Sequence, residues 1–284
     1  ENVNLLFNWN EDTLVGSTTF DNVYNEIWGV VVDNREYAII GSTFGTHFFD
    51  VTNPQSSYEA AFVMGRVVGP EIIHRDYHDY QGYLYAVSDE GASSLQIIDI
   101  SSLPDSVSVV YDSSDLFERS HNIFIDTAKA RLYTTNGDIY SLEDPLDPKF
   151  IYTTPLLSCH DVYVENDTAY INTGNQGFAI VDFSQTTLEN QSHEIIGTLV
   201  SYADQGYNHS GWITQDGNYY VMADETWGMR MKMLDISDFS NIEVIALFGS
   251  DVDVNSIPHN QIINGNYLYT AYYHDGFYVH DISN

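Results

Sequence analysis

A short strand that ends in Asp and runs on into Ile-Ser, or a close variant of it, recurs along the chain and limits the fold more than any other feature. The copies are His47-Phe48-Phe49-Asp50-Val51-Thr52, Gln96-Ile97-Ile98-Asp99-Ile100-Ser101, Ala179-Ile180-Val181-Asp182-Phe183-Ser184, Lys232-Met233-Leu234-Asp235-Ile236-Ser237 and Val279-His280-Asp281-Ile282-Ser283. A degraded copy, Tyr140-Ser141-Leu142-Glu143-Asp144-Pro145, fills the gap between the second and third. With Glu143 as its anchor, successive anchors lie 49, 44, 39, 53 and 46 residues apart. Self-similarity at about 40–50 residues suits a propeller blade of four short strands.

Each anchor closes a unit with the same interior plan. In the unit ending at Asp182, a strand opens on a polar pair and then turns apolar, Cys159-His160-Asp161-Val162-Tyr163-Val164. A tight turn at Glu165-Asn166-Asp167 leads to Thr168-Ala169-Tyr170-Ile171-Asn172, and a glycine turn at Gly174-Asn175-Gln176-Gly177 leads to the anchor strand. The first unit aligns on this one without a gap: Trp28 with His160, Gly45 with Gly177, Asp50 with Asp182. A fourth strand follows five anchors, at residues 59–64, 107–111, 150–153, 194–199 and 243–248. The sixth is missing after Asp281, while Val3-Asn4-Leu5-Leu6-Phe7-Asn8-Trp9 reads as an outer strand. The expectation is an all-β, six-bladed β-propeller of four-stranded blades, one domain over residues 1–284. Strand 3–9 would complete the last blade and protect its edge.

Composition narrows the partners. The 22 Tyr and 14 Phe supply a core and favour half-buried pleated surfaces. Nine Lys+Arg against 41 Asp+Glu give a net charge of −32, which excludes nucleic acid and disfavours an anionic membrane. The same charge favours divalent cations and basic partners, although solubility alone also accounts for it. Cys159 is the only cysteine, so no intrachain disulfide forms. No apolar run approaches the roughly 18 residues of a membrane helix, so direct membrane insertion is not expected.

The chain resembles the LVIVD-repeat proteins, in particular the choice-of-anchor B family, over nearly its whole length. The likeness rests on Ile27-Trp28-Gly29, Tyr37-Ala38-Ile39-Ile40-Gly41-Ser42-Thr43, Gly45-Thr46-His47 before Asp50, and Arg75-Asp76. His121-Asn122-Ile123, His160-Asp161, His209-Ser210-Gly211-Trp212 and His259-Asn260 complete it. The third unit departs from the pattern at Glu143. The resemblance implies a β-propeller exported by bacteria, extracellular or on the cell surface, with a separable anchoring segment. It implies no established activity.

Aligned first strands contribute one residue per unit: Trp28, Arg75, His121, His160, His209 and His259. The residues that follow are Gly29, Asp76, Asn122, Asp161, Ser210 and Asn260. The innermost strands of a propeller line its channel, so these positions are expected to form a ring. His121, His160, His209 and His259 are candidate ligands for Zn²⁺ or another transition metal. Trp28, Arg75, Asp76, Asn122, Asp161 and Asn260 are candidate ligand-binding groups beside them; the Arg75 guanidinium would suit a carboxylate or phosphate. A plainer reading is that each polar pair hydrogen-bonds between blades and locks neighbouring sheets.

Other signals are weaker. Asp251, Asp253 and Asn255 have the alternating oxygen spacing that starts a Ca²⁺ loop, but Ser256 replaces its glycine. Asp224-Glu225-Thr226-Trp227-Gly228 could hold a sugar or a cation. His74 and His78 flank Arg75 and read as surface or packing residues, and Cys159 as a buried inert thiol. No nucleophile elbow, zinc-protease helix, phosphate loop or dinucleotide fingerprint occurs. The expected role is a monomeric binding or scaffold module with a protein or glycan at its rim. The alternative is a metal-dependent hydrolase or lyase with Asp76, Asp161 or Glu225 as acid or base.

Overall fold

The structure is a computed structural model that describes residues 3–93, 95–155 and 159–283. Apart from one 3-10 turn at Pro54–Ser56, every regular element among the described residues is a strand. The first sheet holds β1 (Tyr24–Val32), β2 (Arg35–Ser42), β3 (Gly45–Asp50) and β4 (Tyr58–Met64). The second holds β5 (Arg75–Tyr80), β6 (Tyr83–Ser88), β7 (Leu95–Asp99) and β8 (Ser108–Ser113). The third holds β9 (Ile123–Asp126), β10 (Arg131–Thr134), β11 (Asp138–Ser141) and β12 (Lys149–Thr153). The fourth holds β13 (Asp161–Glu165), β14 (Thr168–Asn172), β15 (Phe178–Asp182) and β16 (Glu194–Leu199). The fifth holds β17 (Asn208–Ile213), β18 (Tyr219–Asp224), β19 (Met231–Asp235) and β20 (Glu243–Phe248). The sixth holds β21 (Pro258–Asn264), β22 (Tyr267–Tyr272) and β23 (Gly276–Asp281). Strands neighbour one another in chain order in every sheet, the meander expected of a six-bladed β-propeller.

By contacts the chain falls into two compact units, residues 1–127 with 141–150 and residues 128–140 with 151–284. The core of the first packs Ile39, Phe48, Tyr77, Leu84 and Ile98, each almost wholly buried. In the second, one cluster packs around Phe178, Ile180, Tyr220 and Leu234, and another around Val221, Met231 and Leu268.

The Asp anchors have a local cause. In each, the carboxylate accepts the backbone N–H two residues on: Thr52 to Asp50 at 3.0 Å, Ser101 to Asp99 at 2.9 Å, Ser184 to Asp182 at 2.7 Å. Ser237 to Asp235 and Ser283 to Asp281 repeat it at 3.0 and 2.9 Å. This Asx turn ends the third strand and satisfies a backbone donor as the chain turns. In the third sheet the Ser141 hydroxyl plays that part, accepting Glu143 N–H at 3.3 Å. Ser141, the last residue of β11, is therefore the anchor, and Glu143 lies two residues beyond it.

Two sequence expectations are corrected by packing and register. Residues 3–9 form no strand, and the sixth sheet keeps three strands among the described residues. Trp9 lies instead against Tyr24, His47 and Phe49, with ring centroids 5.4, 5.0 and 4.8 Å away. Half-burying that indole on the first sheet holds the segment there.

The second correction concerns Trp28. Tyr37 pairs with Asp50 as Thr168 pairs with Asp182, so Ile39 matches Tyr170. Ile39 pairs with Trp28, while Tyr170 pairs with Tyr163. Trp28 is thus the counterpart of Tyr163 rather than of His160. It belongs to an aromatic packing row: Trp28 to His78 at 4.7 Å and His78 to Phe124 at 4.8 Å in the first unit, Tyr163 to Trp212 at 4.9 Å in the second.

Candidate functional site

The histidines expected from the sequence are gathered into two clusters, one per unit. In the second unit His160 precedes β13, while His209 and His259 sit where β17 and β21 slip register, between Asn208 and Ser210 and between Pro258 and Gln261. A bulge adds a residue to one strand and re-aims the side chains beside it. It is here that the imidazoles of successive sheets come together, with centroids of 4.1 Å for His160–His209 and 4.2 Å for His209–His259.

Glu225, the first residue past β18, completes the cluster. Its Oε2 lies 3.7 Å from His209 Nε2 and its Oε1 4.0 Å from His259 Nε2. One ligand atom from each of His160, His209 and Glu225 lies within 4.8 Å of the others. His160 Nδ1 lies 3.2 Å from the His209 carbonyl oxygen, which only accepts, so Nδ1 carries the proton and Nε2 the lone pair. Tyr273 donates its phenol to Glu225 Oε1 at 2.5 Å. Burial first, then that bond to a carboxylate, raises the Tyr273 phenol above its ordinary range and keeps it the donor.

The loop carrying Glu225 is fixed from beneath. Asp224 and Lys232 are both 0% exposed and pair at 2.9 Å. Asp224 also accepts Tyr202 OH at 3.0 Å and Gly206 N–H at 2.6 Å, so its oxygens are well used for a buried charge. Burial pulls the Lys232 ammonium below its usual range, against the Asp224 charge that raises it. Glu225 N–H donates to Tyr207 O at 2.8 Å. Gly174, at φ +60°, exchanges backbone hydrogen bonds with Asn208 at 3.0 and 3.1 Å. A Cβ there would come 2.7 Å from the Tyr207 ring, so only glycine lets the two sheets meet at this point. The sequence pair Asp224-Glu225 is therefore split between a buried support and a site group.

In the first unit His121 Nδ1 lies 3.0 Å from Asp89 Oδ2, and His74 Nδ1 2.7 Å from Glu90 Oε1. The two imidazoles meet edge to face at 4.9 Å. The His121 hydrogen bond holds the Asp89 carboxyl below its ordinary range. Burial raises Glu90, but hydrogen bonds from the His74 ring and the His74 and Ile73 N–H groups outweigh it and leave the carboxyl lowered.

Most of the remaining candidates are tied into the scaffold. Arg75 is 6% exposed and donates Nε to Ser42 O at 2.7 Å and Nη2 to Val67 O at 3.0 Å. Gly65 leaves room for it, since a Cβ there would lie 2.4 Å from the guanidinium. Arg75 thus braces backbone carbonyls rather than offering a fork to an anion. Trp28 Nε1 donates to Asp79 at 2.9 Å, and Asp76 accepts Ile123 N–H at 2.6 Å. Asp161 accepts Val162 N–H at 2.9 Å. The Asn122 carbonyl accepts Ser120 Oγ at 2.7 Å, and Asn260 Oδ1 is buried with no hydrogen-bond partner. Gln261 donates to Ser210 O at 2.7 Å, and Ser210 to His259 O, which ties β17 to β21.

Asp251, Asp253 and Asn255 form an exposed loop in which Asp253 Oδ1 accepts Asn255 N–H at 2.8 Å. That carboxylate oxygen is turned onto its own backbone instead of toward a shared cation. The half-buried Cys159 thiol donates to Asp161 O at 3.6 Å and is pushed up by burial, so it stays protonated. His74 and Asp89 were not singled out as ligands by register. The available signal was a column, not a motif: Asp89 and Glu225 each directly follow the second strand of their sheet.

The comparisons agree with this architecture. The LVIVD repeat family matches residues 158–190 and 261–284. No curated protein matches the chain in sequence. Among solved structures, YCF48 bound to D1 peptide is similar at a TM-score of 0.57 and 10% identity, over 95% of this chain and 85% of that one. The C-terminal WD40 domain of Sif2 is similar at 0.60 and 12%, over 94% and 83%. The computationally designed Ika8 protein is similar at 0.57 and 9%, over 95% and 86%. At such identities the likeness concerns the fold alone. The chain is a six-bladed β-propeller carrying LVIVD repeats.

Proposed function

We propose that the protein is a metal-binding recognition propeller, in which His160, His209, His259 and Glu225 hold a divalent transition-metal ion. The observation that carries this reading is the approach of Glu225 to two imidazoles, 3.7 and 4.0 Å away, beside a third whose tautomer is fixed. Ligands at about 2.1 Å from one ion lie roughly 3.4 Å apart in tetrahedral geometry, which the ligand atoms of His160, His209 and Glu225, all within 4.8 Å of one another, approach, with His259 joining them through Glu225. Imidazoles with one carboxylate suit Zn²⁺, Ni²⁺ or Cu²⁺ better than Ca²⁺ or Mg²⁺. The net charge of −32 supports the reading by concentrating cations near the surface.

The ion would serve recognition of a protein or glycan partner outside the cell. The resemblance to exported repeat proteins supports that location, and the peptide held by YCF48 supports a propeller in a binding role. The test is metal analysis and Ni²⁺ titration of protein purified without added metal, beside His209→Ala and Glu225→Gln. Loss of one equivalent, or its weakening by more than about tenfold, is expected in both variants. Binding that both variants leave unchanged, or none in the parent, overturns the reading.

A further inference from the structure

The first unit holds a cluster of ligand chemistry that this function does not use. One ligand atom from each of His74, Asp89 and His121 lies within 4.8 Å of the others. We infer that these three residues form a second, independent site for a divalent first-row transition cation, with Glu90 as the carboxylate that orients His74.

Glu90 and the loop that carries Asp89 are held by groups outside the three ligands. Glu90 Oε2 accepts the backbone N–H of Ile73 at 3.1 Å and of His74 at 3.0 Å, and the Ser88 hydroxyl lies 3.3 Å from it. Those bonds fix the carboxylate, so that Oε1 receives His74 Nδ1–H at 2.7 Å and the His74 lone pair is placed on Nε2. A carboxylate behind a ligating imidazole both fixes its tautomer and raises its basicity. Asp89 follows β6 directly, and Ser93 ties the loop back with its hydroxyl on Ser88 O at 3.1 Å. His121 is drawn to Asp89 at 3.0 Å and faces His74 edge on.

The charge count favours a cation. Asp89 and Glu90 together offset a dication placed between two neutral imidazoles. Two imidazoles and one carboxylate leave coordination positions for water, as in open metal sites. The His74 side chain is 42% exposed, so this ion would exchange with solvent.

The test uses the full chain with His209→Ala and Glu225→Gln, which removes two of the four second-unit ligands, titrated with Co²⁺ by equilibrium dialysis and visible absorption. One equivalent of Co²⁺ is expected to remain. His74→Ala or Asp89→Asn in that background should weaken it by more than about tenfold, and Glu90→Gln by about 10–100-fold. His74 is exposed enough that its removal leaves the fold intact, which an unchanged near-UV circular dichroism spectrum verifies. Absence of Co²⁺ from that background overturns the inference, as does binding that His74→Ala and Asp89→Asn leave untouched. Counting against the parent separates the two readings. Two equivalents falling to one uphold both. One equivalent that survives unchanged upholds this site and refutes the second-unit centre, whereas loss of the only equivalent does the reverse.

Discussion

The two clusters share the placement of one carboxylate and one imidazole and differ in what stands behind them. In each, a carboxylate directly follows the second strand of a sheet, Asp89 after β6 and Glu225 after β18. In each, it meets an imidazole from the start of the next sheet, His121 or His259. Behind Glu225 lies the fully buried Asp224–Lys232 pair. The corresponding residue behind Asp89 is Ser88, and the supporting carboxylate is Glu90, on the surface side. The second cluster is therefore anchored in the interior and the first is hung from a loop. A repeated fold can copy a site's position, while the layer beneath decides its stiffness.

The largest expected effect tests that difference. Lys232→Ala leaves Asp224 as an uncompensated buried charge and should cost about 3–5 kcal/mol in urea unfolding. Lys232→Met combined with Asp224→Asn should recover most of that loss. Ser88→Ala removes two long hydroxyl contacts, to Glu90 Oε2 at 3.3 Å and from Glu90 N–H at 3.4 Å, and should cost about 1 kcal/mol or less. Equal costs for Lys232→Ala and Ser88→Ala would break the comparison.

A smaller effect is expected in the aromatic row. Trp28→Phe keeps the stack on His78 but loses the Nε1 bond to Asp79, for about 1 kcal/mol. A cost no greater than that of an exposed surface substitution would show that the row, and not the bond, carries the stability.

The smallest effects are in pH dependence, and they have different windows. Burial lowers the His78 imidazole below its ordinary 6.5. The unfolded chain then binds the proton first, so this contribution is present above about pH 6.5 and is lost as pH falls toward the folded value. Asp89 and Glu90 are lowered from 3.8 and 4.5, so their contribution is present above those values and fades as acid protonates them in the folded state. His78→Phe should flatten the urea midpoint just below pH 6.5, and Glu90→Gln should flatten it below about pH 4.5. A midpoint of unchanged slope in either variant would assign that limb to other groups.

Much of the architecture was legible before folding because its causes are local. Alternating apolar residues and tight turns mark the strands of each unit, and Asp50, Asp99, Asp182, Asp235 and Asp281 each close an Asx turn two residues long. Such features need no distant partner. The same locality misled at Glu143, where the neighbouring Ser141 supplies the oxygen. It misled again at Trp28, where a gapless alignment hid a longer first hairpin: six residues separate the paired Val30 and Tyr37, and two separate the matching Glu165 and Thr168.

The sequence by itself determined the repeat, the strand order within each unit and the histidines that open successive inner strands, because period-two patterning and turn chemistry act over a few residues. Tertiary structure alone decided which groups meet. Glu225 reaches His259 and His209, Asp89 reaches His121, and Arg75 is drawn onto the Ser42 carbonyl. Those partners lie 16 to 34 residues away in sequence. The approach of Glu225 to His209 and His259 depends on bulges at those two histidines and on a buried ion pair beneath Glu225, since one residue of register turns a side chain from one face of a strand to the other.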